Sequence, residues 1–218
     1  MINLDPTQIV ALAAALGWAS GLRLYLVLFL VGLVDRMGWV AMPSGLHVLS
    51  HPLVLGASGL MVVVEFLADK IPWVDSIWDT VHTFIRVPAG AVLAASAIGA
   101  LDSHGGAVGT LVAAILGGTL AAGAHVTKSS ARALANTSPE PFSNIGLSLG
   151  EDLIVPGGLA LALAHPIVFV VLLVVAAALG IWLVPKIWRF LKRLVGYAPA
   201  PRKPMAVAGR VTAAPAPR

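Results

Sequence analysis

The sequence predicts an all-α protein: a polytopic transmembrane helical bundle of five to six spans. Three observations carry that class. Hydrophobic residues make up 58% of the chain and charged residues 11%, with mean hydropathy +0.92, whereas a soluble domain carries about 25% charged residues. Apolar runs recur: residues 9–34 hold one charge, and 87–101, 106–124 and 153–184 hold none. A spanning helix needs about 20 mostly apolar residues. Strict period-two alternation is absent, so helices satisfy the backbone in lipid rather than a closed barrel.

The elements follow in chain order. The first span covers about 8–34; its first charge is Asp5 and no basic stretch precedes it, so it reads as a retained span rather than a cleaved signal peptide. Further spans are expected at 52–68, 84–102 and 106–126. Residues 153–184 are interrupted by Pro156 and by His165-Pro166, and proline both removes a donor and disfavours helix before it. One kinked span or two, 144–164 and 166–184, fit. Six spans, the preferred count, place the N-terminus on the side of the C-terminus, and five place it opposite. Residues 1–185 thus form the membrane domain, 186–195 ("KIWRFLKRLV") a cytoplasmic interfacial amphipathic helix, and 196–218 a disordered, basic, Pro/Ala-rich tail.

Two self-similarities, 87–97 with 155–165 and 51–66 with 165–180, raise an internal repeat with broken helices, a common transporter plan. Their offsets differ, so chance likeness in alanine-rich sequence stands beside it.

Charge placement restricts partners. Lys186, Arg189, Lys192, Arg193, Arg202, Lys203, Arg210 and Arg218 all follow the last apolar run. That pattern predicts a cytoplasmic C-terminus and contact with anionic lipid headgroups, not nucleic acid. The chain has no cysteine, which excludes disulfides and thiolate metal sites.

The ionisable residues inside this apolar chain are the candidates for chemistry. Residues 65–86, "EFLADKIPWVDSIWDTVHTFIR", hold six of the 24 charged residues. Pro72 divides the stretch. At about 100° per residue Asp75, Asp79, His82 and Arg86 share one helical stripe, and Glu65 and Asp69 share another. A hydrated amphipathic helix with weak surface pairs, Asp79 with His82 or Asp75 with Lys70, is the alternative. Glu65 fits that poorly, because an acid inside an apolar run is a functional candidate. Arg23, mid-way along the first span, should face the bundle interior. Gly17, Ser20 and Gly21 before it permit close helix approach or local unwinding.

In "HVTKSSARALAN" His125, Lys128, Arg132 and Asn136 project from one face, suited to an oxyanion or to a helix end snorkelling to headgroups. Ser148 with Glu151 reads as a capping box, with Asp152 at the same helix start; pairing of Glu151 or Asp152 with Lys128 or Arg132 competes with that reading. Asn136-Thr137-Ser138 matches a glycosylation sequon. No nucleotide, zinc-hydrolase or serine-hydrolase motif occurs, and no cofactor is expected. Asp75 and Asp79 four residues apart could hold Mg²⁺ against a phosphate.

"EFLADKIPWVDSIWDTVHTFIRVPAGA", "HVTKSSARALAN" and "SNIGLSLGED", after the arginine-bearing "GLRLYL", resemble the bacterial integral-membrane family catalogued as domain of unknown function 4126. The resemblance spans about residues 8–185 and leaves out the tail. It implies a multi-pass inner-membrane protein and no defined activity.

Three functions follow as expectations. The first is a small transporter or channel-like protein whose polar centre holds an anionic solute or lipid. Arg23, Glu65, Asp69, Asp79, His82, Arg86, His125, Lys128, Arg132, Asn136, Glu151 and Asp152 would line that centre. The second is a non-catalytic membrane organiser. The third is a Mg²⁺-dependent enzyme acting on a lipid-linked phosphate.

Overall fold

The computed structural model describes residues 2–69, 71–99, 106–137 and 142–196. Lys70, Ser138 of the sequon, Pro139, Pro141 and residues 197–218 of the expected tail lie outside them, as does the side chain of Asp75. The order is β1 (Ile2–Asn3), α1 (Pro6–Arg36), β2 (Val40–Ala41), a 3-10 segment (Ser44–Ser50), α2 (Pro52–Ala68), α3 (Pro72–Ile98), α4 (Gly106–Ala135), α5 (Phe142–Ala164) and α6 (Pro166–Gly196). Five helices are long and apolar enough to cross a membrane, and the 3-10 segment with α2, bent by 70°, makes a sixth candidate. Large aliphatic and aromatic side chains such as Ile167, Val171, Val174, Ile181 and Trp182 are exposed along α6, as the lipid-facing side of a multi-pass membrane protein requires.

α1 does not run straight. Asp5 caps it through a reciprocal capping box with Gln8, and Pro6 opens it. Seventeen residues later Arg23 leaves helical geometry, at φ −141° and ψ 75°. A straight helix of 31 residues would separate its ends by about 46 Å. Yet β1 pairs with β2, Ile2 opposite Val40, which places the two ends side by side. α1 is therefore a helical hairpin, with arms at 6–22 and 24–36 and Arg23 at its tip. Leu4, Gln8, Leu12, Leu30, Val31 and Val34 line a cavity of about 540 Å³ that opens between the arms near their ends, as a wedge requires.

Small residues allow the approach. A Cβ added to Gly17 would sit 2.7 Å from the Gly117 backbone, and one added to Gly90 would sit 2.7 Å from Ala121. α1, α3 and α4 thus meet through glycine and alanine, which lets backbones pack closely in lipid. Gly38, with φ 67°, makes the turn that leads the chain into β2.

The contacts fix the direction of each helix. Gly90 meets Gly117, and Thr83 meets His125, so α3 and α4 are antiparallel. Gln8 bonds to Leu163 and Arg23 to Ser148, so the first arm of α1 and α5 are antiparallel. Gly180 lies at Thr127 and Trp188 at Ser130, so α4 and α6 are parallel. α2 runs back along the second arm of α1, Gly32 facing Leu55 and Gly59 facing Phe29. Directions alternate from α2 to α6, while α1 runs out and back. By length and apolarity the span count is five, or six with the bent pair, within the range that the sequence predicts, and the hairpin puts both ends of α1 on the same side of the bundle.

Other boundaries also moved. For 153–184 the two-helix alternative is the one found: the helix breaks at His165, and Pro156 lies inside α5. α3 begins at Pro72, so the polar stripe and the apolar span are one helix. Residues 186–195 continue α6 through Pro185.

Candidate functional site

The tip of the α1 hairpin is the centre of a charge network. Arg23 is 2% exposed, and its guanidinium reaches Asp69 at the end of α2, Asp152 at 3.1 Å and Glu151 at 3.5 Å. It also donates to the Ser148 hydroxyl at 2.8 Å and carbonyl at 3.2 Å. The break at Arg23 interrupts the helical ladder, and the Leu22 carbonyl is taken instead by Lys128 Nζ, 3.0 Å away. The peptide geometry and the buried cations are thus one arrangement: the unwound turn supplies an acceptor and the ammonium satisfies it.

Three more cations complete the network. Arg86, fully buried, donates to Glu65 at 2.6 Å and Asp79 at 2.8 Å. Lys128 also pairs with Glu151 at 2.9 Å and lies 3.7 Å from Asp79. Arg132 meets Asp69 and Glu151 at 3.3 Å and Asp79 at 3.9 Å. Four cations therefore face five carboxylates: Glu65, Asp69, Asp79, Glu151 and Asp152. Isolated charges of this kind cost several kcal/mol each to bury, so mutual pairing is the condition of their being inside.

Histidines border the network. His125 Nε2 is 2.7 Å from the Thr83 hydroxyl and its Nδ1 is 3.3 Å from Arg86. His82 lies outward, bonded to the Tyr25 hydroxyl at 3.0 Å, stacked on Trp78 and hydrogen-bonded to the Trp78 carbonyl.

Ten of the twelve residues singled out by sequence are joined in this network by ion pairs and hydrogen bonds. His82 borders the network, bonded to the Tyr25 hydroxyl and the Trp78 carbonyl. Asn136 stands apart: it is exposed and bonds to Asn144 of α5. The snorkelling alternative for 125–136 is not what the fold shows for His125, Lys128 and Arg132, all of which are buried. Ser148 is no cap. α5 starts at Phe142, so Ser148 lies in its second turn and turns toward Arg23. Glu151 and Asp152 are likewise mid-helix and serve as counter-ions.

Sequence reasoning missed Tyr25, Thr83 and the Leu22 carbonyl, and gave Ser148 the role of a cap. Only Tyr25 carried a signal, as a polar tip two residues beyond the anomalous arginine. The Mg²⁺ reading loses its footing at Asp79, whose carboxylate faces Arg86, Lys128 and Arg132. Among the described residues no group of three or more acids and histidines is arranged to hold a metal ion.

The comparison with known families agrees with this placement. The profile described as "Domain of unknown function (DUF4126)" matches residues 10–186. The chain belongs to that family. The DUF4126 match takes in α1 from Val10 onward, with its Arg23 tip, and every member of the network, and it stops short of the basic end of α6. No curated protein and no solved structure matches the chain.

Proposed function

We propose that the chain is a small transporter in which the charge network at the α1 tip is the site for an anionic solute or lipid. One observation carries the reading: four buried cations and five carboxylates gather at the break of a hairpin helix inside the membrane domain. Broken helices with ends at mid-membrane are the recurrent means by which transporters hold substrates and coupling ions. The second arm of α1 presents its N-terminal, positive end to this region. Surplus carboxylate and two flanking histidines supply groups for proton coupling.

In this reading Arg23, Lys128 and Arg132 hold the anion, the carboxylates carry the compensating proton, and Tyr25 with His82 borders the network on one side. The bundle lies in an inner membrane with the C-terminus in the cytoplasm. Lys186, stacked 3.1 Å over Trp182, and Arg189, Lys192 and Arg193 meet anionic headgroups there.

The test is uptake into proteoliposomes of two membrane-impermeant oxyanions, inorganic phosphate and gluconate. Wild type should accumulate at least one of them; Glu65→Gln and Arg132→Ala should fall to the protein-free background while inserting normally. Full uptake by both variants, or no uptake by wild type, contradicts the transporter reading.

The organiser reading is kept as the second, because each of the four cations has carboxylate partners. It requires that exchanging Arg86 and Glu65 leave function intact, whereas a transport site requires its loss.

A further inference from the structure

Within the network one contact differs from the rest. A single oxygen, Glu151 Oε2, is met by three cations: Lys128 Nζ at 2.9 Å, Arg132 Nη2 at 3.3 Å and Arg23 Nε at 3.5 Å. They come from two helices, α1 and α4, while Glu151 comes from a third, α5. A carboxylate oxygen so surrounded occupies the place that an oxyanion ligand would take. Its side-chain exposure is 12%, against 0–8% for Glu65, Asp69 and Asp79 around the same cations. Glu151 is thus near the outer edge of the network and has three side-chain torsions with which to leave it.

We infer that Glu151 is an internal stand-in for the ligand: one proton on Glu151 frees the cradle of Arg23, Lys128 and Arg132, which then takes one singly charged oxyanion. The ligand class is a carboxylate or a phosphate ester, from a free solute or a lipid headgroup. This deepens the transporter reading and rests on it for its purpose, but its test reads binding and not movement.

Charge balance supports the exchange. With Glu151 ionised, four cations face five carboxylates. With Glu151 protonated and a monoanion in its place, four cations again face five negative groups, so the burial of charge is unchanged. The proton bonds to the Glu151 carboxylate as the anion enters and leaves as it departs; no other bond is made or broken. Among the described residues the charged groups facing Glu151 are Arg23 from α1 and Lys128 and Arg132 from α4, with Asp152 beside it on α5. Behind these cations lie Asp69 and Asp79. Among the described residues no charged group of α6 pairs with it.

The experiment uses the full chain in phosphatidylcholine nanodiscs in weakly buffered solution. Sodium formate or sodium dimethyl phosphate, each of which keeps a single fixed charge near neutral pH, is added, and proton uptake is read with a pH indicator. Wild type should take up about one proton per anion bound, and its apparent affinity should rise about tenfold for each unit fall in pH while binding and protonation stay linked. Glu151→Gln should bind the same probes with no proton uptake and no such slope. In a second arm, phosphatidylglycerol replaces part of the lipid. If the headgroup is the ligand, the proton appears on incorporation of this lipid and the soluble probes add none.

Absence of anion-linked proton uptake in both arms overturns the inference, as does uptake that persists in Glu151→Gln. The wild-type slope keeps the test decisive should that variant fail to fold. Proton-linked binding without any flux in proteoliposomes would leave the cradle standing and remove the transporter reading instead.

Discussion

Replacing Arg86 with methionine should cost the folded bundle about 3–5 kcal/mol, the loss expected when one partner of a buried ion pair is removed. Arg86 is the most enclosed cation of the network, and both carboxylates it holds are themselves buried. Their situations differ, which sharpens the expectation. Asp79 still has Lys128 and Arg132 within reach, whereas the only salt bridge to Glu65 among the described residues is the one from Arg86. Glu65 is therefore the group left stranded. Removing both charges together, Arg86→Met with Glu65→Gln, should restore most of the stability. Thermal unfolding in detergent of the single and double variants measures this coupling. Equal melting points for wild type and Arg86→Met would mean that the pair is not buried as described.

The second large effect is expected at Arg23. Its guanidinium joins the α1 tip to α2 through Asp69 and to α5 through Ser148, Glu151 and Asp152. No other side chain of α1 pairs with a carboxylate of this network among the described residues. Arg23→Met should lower uptake of the transported oxyanion in proteoliposomes by about 10–100-fold, the size expected from losing a charged hydrogen-bonding group. Arg23→Lys should recover little. An ammonium is a compact point charge without the planar fork, and its single nitrogen cannot take the places of the three guanidinium nitrogens that meet Asp69, Ser148, Glu151 and Asp152. Full uptake by Arg23→Lys would show that charge alone suffices at the tip.

Much of this arrangement was legible in the sequence, for one reason: in an apolar chain each buried charge is an anomaly that demands a partner. Arg23 in mid-run and Glu65 in "GLMVVVEFLA" were visible as groups that lipid would not tolerate, and the cationic face of 125–136 as a stripe suited to an oxyanion or to headgroups. The glycines before Arg23 carried the prospect of unwinding, and Arg23 does leave helical geometry.

What could not be read was direction. Residues 9–34 have the length and apolarity of a span whether the chain crosses or turns back, and the difference lies in one residue's backbone angles and in a two-residue pairing of Ile2 with Val40. Ser148 was misread for a related reason. Ser-x-x-Glu suits a helix start locally, but the start is fixed further upstream at Phe142, and the hydroxyl is drawn to a guanidinium 125 positions away in sequence. Pro156 likewise failed to end α5, since one missing donor inside a packed bundle does not outweigh the burial of Val155 and Leu159 on the same helix.

The account depends on α1 entering the membrane and returning, because that places Arg23 inside with both ends of α1 on one face. The chain contains no cysteine, so single cysteines can be introduced directly. Thr7→Cys, Trp39→Cys and Thr137→Cys, each at an exposed position, should be treated in intact cells with a membrane-impermeant maleimide, before and after permeabilisation. The hairpin predicts that positions 7 and 39 label alike and position 137 in the opposite manner. Labelling of 7 and 39 from opposite faces would make α1 a simple crossing helix and contradict the site built at its tip.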